Sequence, residues 1–405
     1  MNHWEEKIRH GFTLLENRLE LARCDLIDKT GFPVYRADIK SRHEGSKVHM
    51  QGCFWGKGFT ADVARSAALA EATERLIASV FPDTPLIRAS YDDLKECALD
   101  PASTFPSHRE LLPANRTLVY SPDRMIQWIK GYSYTTGKEI YLPAAYVFLC
   151  PPSTDGLISA TSNGLACGQD YPATILHAMC ELVERDAMMV VMRNRLVMSD
   201  IDPVSFNPAI IKGMLKKGLH VSFKDITTDI GIPTVVAIIR DIRGEFPEYT
   251  YGFAACPAAK TACEHALMEA AQSRVVELFY ASKYGIYQFT DPGKREDIFS
   301  HLVADSGTMK TVADMQQVQG ENTAELIENC FSLVKKALPK TDLFIVRLTR
   351  KEMDIPVVRA IIPGLVPPQA NYVYVLPRLL EVPHKMGLRN RKVRVDELWT
   401  GTWPH

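Results

Sequence analysis

The sequence predicts an α/β protein of mixed sheets and packed helices, folded as a single domain over residues 1–405. Three observations point there. Short runs rich in β-branched and aromatic residues alternate with long stretches of helical periodicity. Two of the helical stretches repeat one pattern, a glycine-containing turn followed about three helical turns later by Glu-x-x-Glu-Arg. No stretch between them has the composition of an inter-domain linker.

Along the chain, strands are expected at 31–35, 118–120, 139–142, 234–239, 343–346 and 357–362, each a short β-branched or aromatic run. Helices are expected over 60–80, 172–195, 260–284 and 323–336, where apolar residues recur at helical spacing. Residues 99–115 are rich in Pro and Ser and read as a surface loop. Residues 291–320 are polar and weakly periodic, a covering segment or an insertion, and 399–405 form a C-terminal tail.

Composition removes several classes of function. Hydrophobic residues make up 46% and charged residues 23%, a globular mix that excludes disorder or coiled coil as the main state. Lys+Arg is 47 and Asp+Glu is 48, so no strong overall field draws the chain to nucleic acid or to an anionic membrane. The start, Met1-Asn2-His3-Trp4-Glu5-Glu6-Lys7, has no apolar signal core behind it, and runs such as Tyr146-Val147-Phe148-Leu149-Cys150 are far too short to span a bilayer. The nine Cys include no CxxC pair and no zinc spacing, which predicts a reduced, cytoplasmic protein.

The chemistry resides in the repeated pattern. Gly56-Lys57-Gly58 precedes Glu71-Ala72-Thr73-Glu74-Arg75, and Asn163-Gly164-Leu165-Ala166-Cys167-Gly168 precedes Glu181-Leu182-Val183-Glu184-Arg185; Gly58 to Glu71 and Gly168 to Glu181 are both 13 residues. Positions i, i+3 and i+4 share one helix face. A single copy on a solvated helix would be an ordinary i,i+4 salt bridge. Two copies at matched spacing, inside helices that are apolar nearly all round, predict four buried carboxylates, which need partners or cations. Oxygen ligands without Cys or His suit Mg²⁺, and Mg²⁺ with arginines beside it suits a polyphosphate. A third helix carries His265, Glu269, Gln272 and Arg274. Cys167 and Cys180 read as packing residues and His177 as a core histidine. The Walker frame, G-x-G-x-x-G, G-x-S-x-G and H-E-x-x-H are all absent, so a nucleotide would be held without a P-loop and no hydrolase nucleophile elbow is present.

These motifs resemble the YcaO superfamily, ATP-dependent enzymes that modify backbone amides of peptides. Gly56-Lys57-Gly58 with the segment to Arg75 resembles the first family motif, and Ser162 through Gly168 with Glu181-Leu182-Val183-Glu184-Arg185-Asp186-Ala187 the second. Glu269-Ala270-Ala271-Gln272-Ser273-Arg274 resembles the third, and Ile355-Pro356-Val357-Val358-Arg359 with Ile362-Pro363-Gly364-Leu365 the C-terminal signature. The resemblance implies a YcaO-type fold around a non-P-loop nucleotide cavity, with ATP and Mg²⁺ as cofactors. It implies that Glu71, Glu74, Glu181 and Glu184 hold Mg²⁺, that Arg75 and Arg185 contact phosphates, and that Gln169, Gln272 and Arg274 line the nucleotide cavity, with Lys7 and Thr13 as a looser Lys/hydroxyl pair. The family's patterns are broken at Ala67, Ala173 and Val366, the last weighing against the thioamide-forming branch.

Pro377 through Trp399 resembles the end of azoline-forming cyclodehydratases, whose proline-rich tail reaches the catalytic centre; here Thr402-Trp403-Pro404-His405 stands in its place, making Pro404 and His405 the catalytic candidates. The implied reaction forms thiazoline or oxazoline rings from Cys, Ser or Thr of a ribosomal precursor peptide. Thioamide or amidine formation by the same amide activation is the alternative, and a non-catalytic nucleotide-binding scaffold a third. No leader-binding module is visible, so an E1-like, leader-binding partner protein is expected, or a TfuA-like protein on the thioamide branch. A homodimer is compatible with the resemblance; nucleic acid and membrane are not expected partners.

Overall fold

A computed structural model describes residues 3–41, 50–104, 120–155, 157, 160–285, 299–368 and 375–401. Among these, the strands form three sheets. The first is an antiparallel ribbon of β1 (Asn17–Arg23), β2 (Val34–Ser41) and β3 (Gly52–Lys57), in that order, with Arg36 opposite Trp55. The second is built from β4 (Ile87–Ala89), β5 (Ile126–Ser133), β6 (Glu139–Pro143), β7 (Leu165–Cys167), β13 (Phe344–Arg347) and β14 (Val357–Ile361). Its order is β4-β5-β13-β14-β7, with β6 paired to β5. The third contains β8 (Asp200–Ile201), β9 (Leu219–Asp225), β10 (Thr234–Asp241), β11 (Tyr249–Ala255) and β12 (Met309–Lys310), in the order β11-β10-β9-β8-β12.

The long helices form where the apolar periodicity places them, and their ends have local causes. Helix α1 spans His3–Leu14. Helix α2 (Ala61–Ile77) starts at Thr60, whose hydroxyl accepts from Val63 N, and α3 (Tyr171–Asn194) starts at Asp170, whose carboxylate accepts from Ala173 N. Arg195 in the left-handed region ends α3, and Gly285 ends α4 (Ala259–Tyr284) in the same way. Helices α5 (Thr323–Ala337) and α6 (Pro377–Lys385) complete the set used below.

Helix α3 lies at the centre. Met179 and Val183 belong to a core with Val358 and Phe331, while Met188 and Met192 belong to another with Leu379 and Val382. A helix apolar on all sides is stable only inside such a double core. Among its buried polar side chains, Asp186 is fully buried and accepts from Val366 N at 2.9 Å and Arg378 Nη2 at 2.7 Å; Arg378 also reaches Asp229 at 2.8 Å. This clasp ties α6 to α3. Strand β3 lies flush on α2 because Gly56 has no side chain: a Cβ there would run into the backbone of Ala64 and Ala68.

The expected helices and the strands near 139, 234, 343 and 357 are found within a few residues of their expected ends. The first strand begins later than expected, at Val34, because Gly31 with φ +78° turns the chain ahead of it. Residues 118–119 of the expected strand at 118–120, and residues 105–115 of the expected loop, lie outside the described residues; 101–104 form a helical turn. Residues 299–320 add β12 in parallel to the edge of the third sheet, and 291–298 are not described.

Candidate ATP and magnesium site

The two repeated units are built alike in three dimensions. Each is an edge strand, a glycine turn, a side-chain cap and a helix. In the first, Trp55 N of β3 donates to Glu71 Oε2 at 3.0 Å. In the second, Gly164 N, just ahead of β7, donates to Glu181 Oε2 at 3.1 Å. The leading carboxylate of each Glu-x-x-Glu-Arg thus folds back onto the strand that introduces its helix. Gly164 is required there: its φ is +80°, and a Cβ would strike the carbonyl of Ala360 and the side chain of Leu182.

Within each helix the arginine binds both glutamates. Arg75 Nη2 is 3.0 Å from Glu71 Oε1 and its Nη1 is 3.4 Å from Glu74 Oε1. Arg185 Nε is 3.1 Å from Glu184 Oε1 and its Nη2 is 3.9 Å from Glu181 Oε1. Glu184 Oε1 is nonetheless buried without a well-aligned hydrogen bond. Helix α4 brings a fifth carboxylate, Glu269, whose Oε2 takes Lys57 Nζ of β3 at 3.1 Å. Arg359 of β14 stands behind the cluster, 1% exposed, donating from Nε to the Val147 carbonyl at 3.0 Å and from Nη1 to the Asn163 carbonyl at 2.6 Å.

Burial and charge crowding divide the carboxylates into two kinds. Burial lifts Glu74 to about 8, with Glu181 and Glu71 adding to it against Arg75 and Arg359. Burial also lifts Glu184 to about 8, with Glu269 and Glu181 adding and Arg185 and Lys57 opposing. Glu269 is half-buried, and Lys57 and Arg185 outweigh that burial and hold it below its ordinary value. Burial lowers Arg359 to about 9 in spite of Glu74 and Glu181. His177, expected in the core, is exposed, and so is His265; the surrounding protein and the nearby Lys57 lower both imidazoles from their ordinary value. Glu181 thus acts on both Glu74 and Glu184, and Glu269 acts on Glu184, so the carboxylates of the three helices influence one another.

The structure therefore brings Glu71, Glu74, Arg75, Glu181, Glu184 and Arg185 together. Glu71 and Glu74 share Arg75, Glu181 and Glu184 share Arg185, and among the described residues no three acidic, His or Cys side chains converge on a single metal-ligating point. Gln272 is half-buried, one turn along from Glu269, and Gln169 is exposed on the turn before α3. Arg274 makes its contacts elsewhere: fully buried, it pairs with Asp28 at 3.2 Å and Asp241 at 3.8 Å and donates to the Pro247 carbonyl at 2.7 Å. Lys7 pairs with Asp354 at 2.8 Å, and the Thr13 hydroxyl donates to the Arg9 carbonyl at 3.1 Å, so neither contacts the cluster. Pro404 and His405 lie outside the described residues. The motif reading gave Lys57 and Arg359 no role. The signals were a lysine between two glycines and a lone charge in the apolar run Ile355-Pro356-Val357-Val358-Arg359-Ala360-Ile361-Ile362.

A family model described as YcaO cyclodehydratase, ATP- and Mg²⁺-binding, matches residues 55–366. The chain belongs to the YcaO family. Two relatives carry no assigned function. One, from Methanothermobacter thermautotrophicus, is 28% identical over 84% of this chain and 87% of its own length. The other, an uncharacterized protein in the tfuA 3' region of Rhizobium leguminosarum bv. trifolii, is 27% identical over 78% of this chain and 77% of its own.

Solved structures share the YcaO fold. A heterocyclase in complex with substrate and cofactor matches with a TM-score of 0.82 at 20% identity, covering 99% of this chain; the chain spans only 57% of that protein. The YcaO protein of Methanopyrus kandleri bound with AMPPCP and Mg²⁺ matches with a TM-score of 0.69 at 21% identity, covering 89% of each chain. A chain of the E. coli microcin synthetase McbBCD complex with pro-MccB17 bound matches with a TM-score of 0.60 at 13% identity, covering 87% of this chain and 89% of that one. Among the described residues no helix is long and apolar enough to cross a membrane.

Proposed function

We propose that this YcaO protein uses ATP and Mg²⁺ to activate a backbone amide of a ribosomal precursor peptide, and that the activated amide closes into an azoline ring. The observation that carries the reading is the cluster itself, in which Glu184 is buried and the other charged groups, expected buried for the carboxylates, are half-buried. Five carboxylates on three helices pair with two arginines and a lysine, and burial, with the neighbouring carboxylates adding, raises Glu74 and Glu184 to about 8. The donor set is all oxygen, and Glu184 keeps an oxygen with no hydrogen bond, so the residues fit Mg²⁺. Glu74, Glu181 and Glu184 would hold it, with Glu71 completing the first repeat's share. Arg75, Arg185 and Lys57 would turn from their carboxylates to phosphate oxygens. Bound Mg²⁺ supplies neutralisation of the triphosphate charge.

In this reading a Cys, Ser or Thr side chain of the substrate attacks the preceding carbonyl carbon. The nucleophile gives up its proton, the former amide oxygen takes the γ-phosphoryl group of ATP with release of ADP, and phosphate then departs with that oxygen as the amide nitrogen loses its proton and forms the C=N bond of the ring. Amide oxygen is a very poor leaving group until phosphorylated, so the protein's task is positioning and charge stabilisation. A leader-binding partner is expected to deliver the peptide, in keeping with the multi-protein microcin synthetase. A cytoplasmic location goes with ATP and a ribosomal substrate.

A second reading, thioamide formation by the same activation, is favoured by one observation, the relative in the tfuA 3' region. It calls for a TfuA-like partner and an external sulfur nucleophile. The deciding experiment is mass spectrometry of a neighbour-encoded precursor peptide after incubation with the chain, its partner, ATP and Mg²⁺. Loss of one water per ring, linking adjacent residues, supports the azoline. Exchange of sulfur for a backbone oxygen supports the thioamide. A product formed equally well without ATP would defeat both.

A further inference from the structure

At the end of α6 the chain enters a run with one sign of charge. Lys385, Arg389, Arg391, Lys392 and Arg394 follow one another with no Asp or Glu among them, in a chain whose net charge is −1. All five are exposed, Arg391, Lys392 and Arg394 by at least 60%. The run is nonetheless held in place. Leu388 N and Arg389 N donate to the Pro383 carbonyl at 2.9 and 3.1 Å, and Val393 N to the Leu380 carbonyl at 2.9 Å. Arg389 Nη2 donates to the Asn194 carbonyl at the end of α3 at 3.0 Å. Three carboxylates serve the five cations. Glu381 takes Lys385 at 3.5 Å and Lys392 at 2.7 Å, Glu397 takes Arg391 at 2.9 Å, and Asp396 takes Arg394 at 2.6 Å. Five cations less three carboxylates leave two positive charges in excess. Exposed pairs are worth little, because water competes for both partners, so these cations can exchange their carboxylates for others. Leu388 and Val395 stand exposed among the charges.

We infer that this strip docks an acidic segment of the peptide substrate, one in which carboxylates are interspersed with apolar side chains. The inference rests on the precursor-peptide reading above for the identity of that chain and adds where it is held. The excess positive charge attracts carboxylates, and Leu388 and Val395 offer apolar contact between them. The strip is also fixed to the catalytic helix. Arg378 clasps Asp186, the residue after Arg185, and Arg389 grips the last residue of α3. From Glu184 to Asn194 the helix rises about 15 Å, which about five extended residues span. One peptide can therefore hold the strip and reach the carboxylate cluster, with the acidic segment at least about five residues from the modified amide. The strip suits a nucleic acid less well. Glu381, Asp396 and Glu397 interrupt the cations and would repel a continuous line of phosphates. Trp399, the aromatic residue of this stretch, already lies against the Arg193 guanidinium at 5.6 Å and offers no free ring for a base.

The probe is a fluorescein-labelled peptide alternating glutamate with leucine and serine, followed by fluorescence anisotropy. Wild type is expected to bind it at low salt, to lose affinity as salt rises, and to bind the same peptide with glutamine for glutamate roughly tenfold more weakly. Replacing the strip's exposed cations together, Arg391→Gln, Lys392→Gln and Arg394→Gln, should weaken binding roughly tenfold. Removing as many charges from other exposed surfaces, Lys212→Gln, Lys216→Gln and Lys336→Gln, should change it by less than about twofold. Neither set should change Mg²⁺–AMPPCP affinity by more than about twofold. Absence of salt-dependent binding to wild type, equal loss in the two sets, or tighter binding of an oligouridylate of equal length would overturn the strip. With the neighbour-encoded precursor, the strip variant should raise the peptide KM and leave kcat near the wild-type value. Product formed by that variant at the wild-type KM would sink the strip and leave the amide-activation reading standing. Strip-dependent probe binding by a chain that yields no modified product would do the reverse.

Discussion

Replacing Glu74 by Gln separates the cost of the empty cluster from its use. Burial holds the Glu74 carboxyl at about 8, against 4.5 for an ordinary glutamate, so near neutral pH the folded protein keeps a proton that the unfolded chain releases. The folded state binds more protons than the unfolded state between these two values, so this group makes stability fall as pH rises from about 4.5 to 8. At pH 7 the cost reaches about 3 kcal/mol. Glutamine has the shape of the protonated acid and cannot ionise. Glu74→Gln should therefore raise the melting temperature of the nucleotide-free protein, by at most about 3–4 °C for a chain of this length. The gain should grow from pH 5 to pH 8 and level off above. The same variant should lose most of the stabilisation that Mg²⁺–AMPPCP gives wild type, and its ATP turnover. Scanning calorimetry across pH, with and without Mg²⁺–AMPPCP, reads both effects. A variant that melts below wild type at pH 8 and keeps the full nucleotide-induced rise would show that Glu74 is a structural partner of Arg75 and not a cation ligand.

Other outcomes follow from the same geometry. Mg²⁺–AMPPCP affinity should increase as pH rises toward 8, because Glu74 and Glu184 must release protons to bind a cation; titration calorimetry in buffers of different ionisation enthalpy should detect that proton release. Arg378→Met should cost about 3–5 kcal/mol in denaturant unfolding, because it strands Asp186 at full burial. Gly164→Ala should destabilise by more than about 1 kcal/mol, since it meets both a left-handed backbone and the Ala360 carbonyl, and Mg²⁺–AMPPCP binding should weaken with it as the hydrogen bond to Glu181 shifts. If the C-terminal residues take part in ring closure, deleting residues 403–405 should slow single-turnover product formation while nucleotide affinity stays at the wild-type value.

The sequence by itself determined the long helices and which charged residues share a face on them. Helical periodicity is local, so i, i+3 and i+4 place Glu71, Glu74 and Arg75 on one face and Glu181, Glu184 and Arg185 on another. The strands β3, β5 and β11 escaped that reading because glycines interrupt their alternation, and β1 because its run is charged; β9 alternates cleanly, Leu219, Val221 and Phe223 against His220, Ser222 and Lys224, and was legible. Tertiary structure alone decided which faces meet. Arg274 lies five residues after Glu269, about 140° around the helix, so the packing that turns Glu269 toward Lys57 and Arg185 turns Arg274 toward Asp28 and Asp241. Arg359 belongs to a strand far away in sequence, and its place behind Glu74 and Glu181 follows from β14 pairing with β7. A motif gives the residues of one turn; the burial that raises Glu74 and Glu184 is made by the strands packed on their helices, β3 and β7 on α2 and β7, β11 and β14 on α3, and no local pattern contains it.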